Sequence, residues 1–284
     1  MSVACREARW PIPASGRALF YRLWQPRHAT AAIVIVHGFG EHGDRYRSMA
    51  EALAGLGLAV AVPDLPGHGL SGGRPGDFTR IDEYIDPLNR FTRDVVLPET
   101  GLARCALFGH SFGGLVAILW AVRHPGLVTR LIAQSPLLEI GFTIPRWKRA
   151  VARMCLALWP TAQFSMDLDL TNLSRDPAVI DAYRRDPLVH HLISARAYAA
   201  TLRARAEAEA RVGELQIPLL LLCGADDRII SVARAMDWGE RVTVEKSCRT
   251  FPGMCHELHH EPVRDEVVRL VAEWAMGRPL EPSG

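Results

Sequence analysis

Three separated segments carry residue types that can work together on an acyl group. Gly109-His110-Ser111-Phe112-Gly113 sets one serine between two glycines. A serine hydroxyl is a poor nucleophile at neutral pH and needs a base to take its proton. The G-x-S-x-G spacing alone says little, since chance produces it in roughly one chain in ten of this length. Its surroundings make it specific. The serine follows a strand-like run ending at Phe108 and opens the helix-like run at residues 112–122. A sharp strand-to-helix turn needs small neighbours, and it lifts the serine side chain clear of the sheet. Downstream, Ala225-Asp226-Asp227-Arg228 follows another apolar run and offers two carboxylates. After it, Phe251-Pro252-Gly253-Met254-Cys255-His256 offers an imidazole just before a closing helix. Serine, acid and histidine in that order form a nucleophile, an orienter and a base. Spacing does not choose between Asp226 and Asp227. His259 and His260 compete with His256 but stand on the start of the next segment.

Acyl transfer also needs two preorganised N–H donors for the negative oxygen of the tetrahedral intermediate. Losing one costs about 3 kcal/mol. The backbone N–H of Phe112, next to the serine, is one candidate. His37-Gly38-Phe39-Gly40 directly follows the apolar run AAIVIV, and the Phe39 N–H is the other.

The elements that must position these groups alternate along the first half of the chain. Residues 18–24, 31–36, 58–62, 106–108 and 131–133 read as strands. The run at 31–36 is apolar throughout, as befits a strand buried on both faces. Helical spacing covers residues 46–56, 81–97 with a disturbance expected at Pro87, and 112–122. Strands alternating with helices imply a mostly parallel sheet. The rhythm breaks between residues 139 and 211, where helical stretches at 147–159, 177–184 and 193–210 replace strands. Strands then resume at Ile217 and before Pro252, and residues 262–276 form the last helix. The division expected is a core of residues 1–138 and 212–284, interrupted by a helical insertion at 139–211. The apolar side of 147–159 is expected to pack on the core, or to serve as a lid touching a membrane surface.

Composition bounds the rest. The chain has 284 residues, which suits one large domain with an insertion. Hydrophobic residues make up 49%, enough for a large core. The net charge is +2 without a basic arm, so nothing calls for a nucleic-acid partner. Six cysteines form no C-x-x-C pair, and reduced thiols in a cytoplasmic setting are expected. The charged and proline-containing N-terminus does not read as a secretory leader. No apolar window is long enough to span a bilayer.

Several blocks resemble the monoacylglycerol lipases and related lysophospholipases of the α/β-hydrolase superfamily, the serine aminopeptidase S33 type. They are His37-Gly38-Phe39-Gly40-Glu41-His42 with Arg45-Tyr46, Asp64 through Ser71, Asp186-Pro187-Leu188-Val189, Gly224 through Arg228, and Gly253 through His256. The resemblance covers nearly the whole chain. It implies the α/β-hydrolase fold with a helical cap, selects Asp227 over Asp226 and His256 over its neighbours, and offers Glu41, Arg45 and His259 as contacts to a glycerol head group. Glu41 and Arg45 alternatively read as an ion pair supporting the oxyanion loop. Phe39 and Phe112 stand where smaller or flexible residues are usual, so their rings are expected to line the acyl site. The chemistry implied is carboxylic ester hydrolysis without metal or organic cofactor, on a single-acyl-chain lipid, with transient contact of the cap to a membrane surface. A small-ester carboxylesterase, a thioesterase and an aminopeptidase share the triad. An aminopeptidase would need acids in the insertion, where Glu139, Asp167, Asp169, Asp176 and Asp181 are available. A non-catalytic binding protein on the same scaffold would have no reason to keep the triad.

Overall fold

The computed structural model describes residues 3–13, 15–166 and 168–280. The chain starts with an antiparallel pair, Cys5–Ile12 (β1) and Arg17–Trp24 (β2). Ala31–Val36 (β3), Arg47–Gly55 (α1) and Leu58–Pro63 (β4) follow. Next come Asp82–Phe91 (α2) and the single turn Leu97–Thr100 (α3), then Cys105–His110 (β5), Phe112–Arg123 (α4) and Val128–Gln134 (β6). The following stretch holds Arg146–Leu158 (α5), Gln163–Ser165 (β7), Pro177–Arg185 (α6), Leu192–Ser194 (β8) and Ala195–Ala210 (α7). Leu219–Gly224 (β9), Val232–Glu240 (α8), Lys246–Phe251 (β10) and Arg264–Ala275 (α9) complete the chain.

Eight strands make one sheet in the order β1-β2-β4-β3-β5-β6-β9-β10, antiparallel at the β1 edge and parallel from β4 to β10. Side chains alternate across it. Ile33 and Ile35 enter a core with α1 and α9, while Val34 and Val36 enter a core on the other face with α2, α4, α7 and α8. Period-2 burial on both sides explains the unbroken apolar run of β3. β6 and β9 are parallel neighbours in the sheet, so everything from α5 to α7 lies between two adjacent strands. In such a sheet the loops at the carboxyl ends of the strands form the functional rim.

Four elements depart from the sequence reading. β1 was not expected, because Arg6, Glu7 and Arg9 hide its pattern. It is an edge strand, where polar side chains and Pro11 are tolerated. α8 is short and was not read, and β7 and β8 form a small antiparallel pair too brief to show a pattern. The helical disturbance lies at Thr92–Val96 rather than at Pro87, with the Leu97 N–H bonding the Thr92 carbonyl. Pro98 accounts for it: in a regular helix its ring would clash with the Asp94 carbonyl, and the wider π turn relieves that contact.

The side of α5 expected to pack on the core does not. None of its residues is buried; Trp147 is 64% exposed, Met154 56% and Leu158 80%, with Trp159 just beyond at 68%.

Candidate active site

Ser111 occupies the one-residue turn between β5 and α4, with φ 53° and ψ −118°. A non-glycine residue in this region stores of order 1–3 kcal/mol of strain, which the surroundings must enforce. They do so with backbone bonds: the Ser111 N–H donates to Gln134 O at 3.0 Å, and its carbonyl accepts from Leu137 N at 2.9 Å. The flanking glycines are a packing requirement. A Cβ at position 109 would run into the Gly113 carbonyl, and one at 113 into the Val36 and His37 carbonyls. The G-x-S-x-G pattern thus records two close approaches, of β5 to α4 at Gly109 and of α4 to the end of β3 at Gly113.

His256 sits in the loop after β10, and Asp227 in the loop just past the end of β9. His256 Nδ1 meets Asp227 Oδ2 at 2.6 Å. The other carboxylate oxygen accepts from Ile229 N at 2.8 Å and Ile230 N at 3.1 Å, so Asp227 is fixed at both oxygens. Asp226 points to solvent. Of the two adjacent aspartates, Asp227 is the one that reaches the imidazole. Burial disfavours the imidazolium, but the Asp227 carboxylate outweighs it and holds the His256 pKa above the ordinary histidine range. Burial likewise opposes the Asp227 charge, and His256 with the two backbone donors offsets it, leaving that pKa below the usual value. With Nδ1 engaged, Nε2 is the nitrogen left to accept a proton. Ser135, another non-glycine residue with positive φ, donates its hydroxyl to the His256 carbonyl at 3.1 Å and anchors the loop.

Ser111, His256, Gly38, Phe39 and Glu41 all border one cavity of about 430 Å³. That is within the usual range for a small-molecule site. Most of its wall is apolar, from Leu137, Ile140, Phe142, Ile144, Met166, Leu168, Leu173, Ile193 and Ile229. Phe112 opens α4, so its N–H is among the helix's first donors, which lack an intrahelical acceptor. The Phe39 ring borders the cavity. The Phe112 ring does not, contrary to expectation; it is buried against Phe78 and Tyr84.

The loop bearing Phe39 is braced from three sides. Glu41 accepts from Gly38 N at 2.5 Å and from the Tyr46 hydroxyl at 2.7 Å. The His190 N–H donates to Gly40 O at 2.8 Å, and His42 Nε2 donates to Asp186 at 2.8 Å. The Asp186 block therefore clamps this loop. Asp64 ties down the loop after β4, accepting from Gly43 N and Leu70 N at 2.8 Å each.

Arg45 donates to Glu41 at 2.8 Å and to Glu257 at 2.5 Å, joining the Phe39 loop to the residue that follows His256. Burial opposes the charge on both carboxylates, and Arg45 outweighs it, holding each pKa below the usual range. Glu257 had no signal in the sequence beyond its place next to His256. Of the three residues offered as glycerol contacts, Glu41 borders the cavity. Arg45 and His259 lie behind its wall. His259 stacks on Tyr46 and takes a hydrogen bond from Gln134 at Nδ1. Burial holds His110 to a pKa of about 4 and His259 well below the ordinary value, so neither competes with His256 as a base near neutral pH. Glu257, His259 and His260 bring ligand atoms within 4.8 Å of one another. The Arg45 guanidinium already occupies Glu257, and its charge opposes a divalent cation there.

The sequence profile of the hydrolase family described as serine aminopeptidase S33 matches residues 27–263. The chain is 30% identical over 262 residues to the monoacylglycerol lipase of Mycolicibacterium smegmatis, covering 91% of this chain and 93% of that protein. It is also 30% identical to the human monoglyceride lipase, covering 94% and 89%. The crystal structure of Paleococcus ferrophilus monoacylglycerol lipase superposes with a TM-score of 0.82 at 31% identity, over 91% of this chain and 98% of that one. A mostly parallel sheet whose strand ends gather a serine, an acid-bound histidine and an apolar cavity, taken with these matches, makes this chain a member of the S33 family of α/β-hydrolases, of the monoacylglycerol lipase type.

Proposed function

We propose that the chain hydrolyses single-acyl-chain carboxylic esters, monoacylglycerols and their relatives, through an acyl-enzyme on Ser111. The observation that carries this reading is the buried His256–Asp227 pair on the wall of an apolar cavity that also receives the strained Ser111 turn. His256 Nε2 takes the Ser111 proton as Oγ attacks the ester carbonyl, and Asp227 orients the ring and stabilises the imidazolium. The Phe39 and Phe112 N–H groups receive the developing oxyanion. His256 then protonates the departing alcohol. Water, deprotonated by the same imidazole, attacks the acyl carbon and frees Ser111. No step requires a metal or cofactor. Residues 139–211 act as the cap that supplies the acyl channel, and the exposed apolar side of α5 rests on the lipid surface from which substrate enters. Among the described residues no helix is long and apolar enough to cross a membrane.

The aminopeptidase alternative loses its support at the acids. Asp169 and Asp176 are spent capping helical turns, Asp181 pairs with Arg184, and Glu139 pairs with Arg234. Asp167 lies outside the described residues. The carboxylates on the described cavity wall are Glu41 and Glu257, both held by Arg45, so no free acid there awaits an ammonium group. The test is hydrolysis of p-nitrophenyl esters from acetate to palmitate, with 1-oleoylglycerol and an aminoacyl p-nitroanilide alongside. Turnover that favours the longer esters and the monoglyceride supports the reading. Preference for acetate, or for the anilide, overturns the substrate assignment.

A further inference from the structure

Arg205 is a cation in an otherwise greasy place. It lies on the stripe of α7 formed by Tyr198, Thr201 and Leu202, one helical turn beyond Thr201, and all four border the cavity. Its Nε donates to the Leu138 carbonyl at 2.7 Å. Leu138 follows Leu137, whose N–H is bound to Ser111, so the guanidinium is anchored beside the loop that holds the reacting serine. Among the described residues no carboxylate pairs with it. The acid whose field reaches it, Glu139, is engaged by Arg234 at 3.1 Å. Burial pulls the Arg205 pKa down from its usual range, the mark of a charge that lacks full compensation. The acids on the described wall, Glu41 and Glu257, are both bound by Arg45 and make no ion pair with Arg205.

A guanidinium is a planar fork matched to carboxylate and phosphate oxygens. It is also expensive to hold beside apolar walls unless an anion completes it. Resting on the ester-hydrolase reading above, we propose that Arg205 is a specificity-determining residue that receives an anionic group carried by the substrate, so that the preferred ester is an anionic single-chain lipid rather than a neutral one. The shared chemistry is a phosphate or carboxylate within reach of the cavity, and two parts of a substrate can supply it. One is a phosphorylated glycerol head group; the other is a carboxylate at the far end of the acyl chain.

The experiment measures kcat/KM for wild type, Arg205→Gln and Arg205→Lys on three substrates: 1-oleoylglycerol, 1-oleoyl-glycerol-3-phosphate, and the 1-glyceryl monoester of a long-chain dicarboxylic acid. The expected result is a preference of the wild type for one anionic substrate over the neutral one. In Arg205→Gln the anionic-to-neutral ratio falls about tenfold or more, the weight of one charged hydrogen-bonded contact. Arg205→Lys keeps the charge, loses the fork, and falls between. The substrate whose ratio collapses identifies the source of the anion. Ratios that are the same in all three proteins overturn the proposal while leaving ester hydrolysis standing. Failure of the wild type on all three esters strikes the ester-hydrolase reading itself.

Discussion

At the scale of single residues, the account turns on the partners of His256. Its neutral ring is the working form, so kcat/KM falls as pH drops through its pKa. Asp227 lifts that pKa, so the acid limb lies above the ordinary histidine value of about 6.5. In Asp227→Asn the largest influence favouring the imidazolium is gone, and burial, opposed only by the weaker fields of Glu257 and Glu41, favours the neutral ring. The acid limb therefore moves to lower pH while kcat falls by about 10⁴, and a pH–rate profile of the variant checks both. Arg45 makes a different prediction. Arg45→Met leaves two buried carboxylates, Glu41 and Glu257, close together without their shared cation. Breaking a buried network from one side costs about 3–5 kcal/mol. At roughly 2–4 °C per kcal/mol the melting temperature drops by about 10 °C, read by calorimetry, unless both acids take up protons. The loss should then shrink as pH is lowered, because the stranded acids neutralise.

At the scale of elements, the turn between β5 and α4 and the helix α5 respond in opposite ways to substitution. Gly113→Ala drives a methyl group into the Val36 and His37 carbonyls, so β3 or α4 must shift. It should lower both stability and activity, seen in the same melting and hydrolysis assays. Trp147→Ala with Trp159→Ala touches side chains that are mostly exposed, and surface changes of that kind are usually within about 0.5 kcal/mol each. The melting temperature should hold, as should turnover of a water-soluble p-nitrophenyl ester, whereas turnover of 1-oleoylglycerol presented in vesicles should fall. α5 also shows what amphipathic spacing leaves open. Trp147, Val151, Met154 and Leu158 do share a side, but periodicity is silent about whether that side meets protein, lipid or water. Only the packing of α7 beneath decides it.

At the scale of the whole molecule, the sheet was legible because its central strands are buried on both faces. AAIVIV and LLLLCG can hardly be anything else. The serine turn, the second of two adjacent aspartates and the histidine loop were legible because carbonyl approach, strand-end position and family blocks each constrain residue type. The edge strand β1 and the bridge from Arg45 to Glu257 were not. One has its pattern masked by surface charge, and the other joins residues far apart in sequence through contacts that only the assembled fold creates. The cavity adds a molecule-wide expectation. Each methylene buried in it contributes about 0.8 kcal/mol, so kcat/KM should climb roughly fourfold per added carbon until about 430 Å³ is filled, then level off.

The most direct test of the central claim is to find the covalent centre. The protein is treated with a fluorophosphonate, which traps an activated serine, digested, and mapped by mass spectrometry while residual ester hydrolysis is followed. The account predicts a single adduct on the peptide containing Ser111, formed in step with the loss of activity and absent from Ser111→Ala. An adduct on another serine that tracks the loss, or hydrolysis that persists in Ser111→Ala, would contradict it.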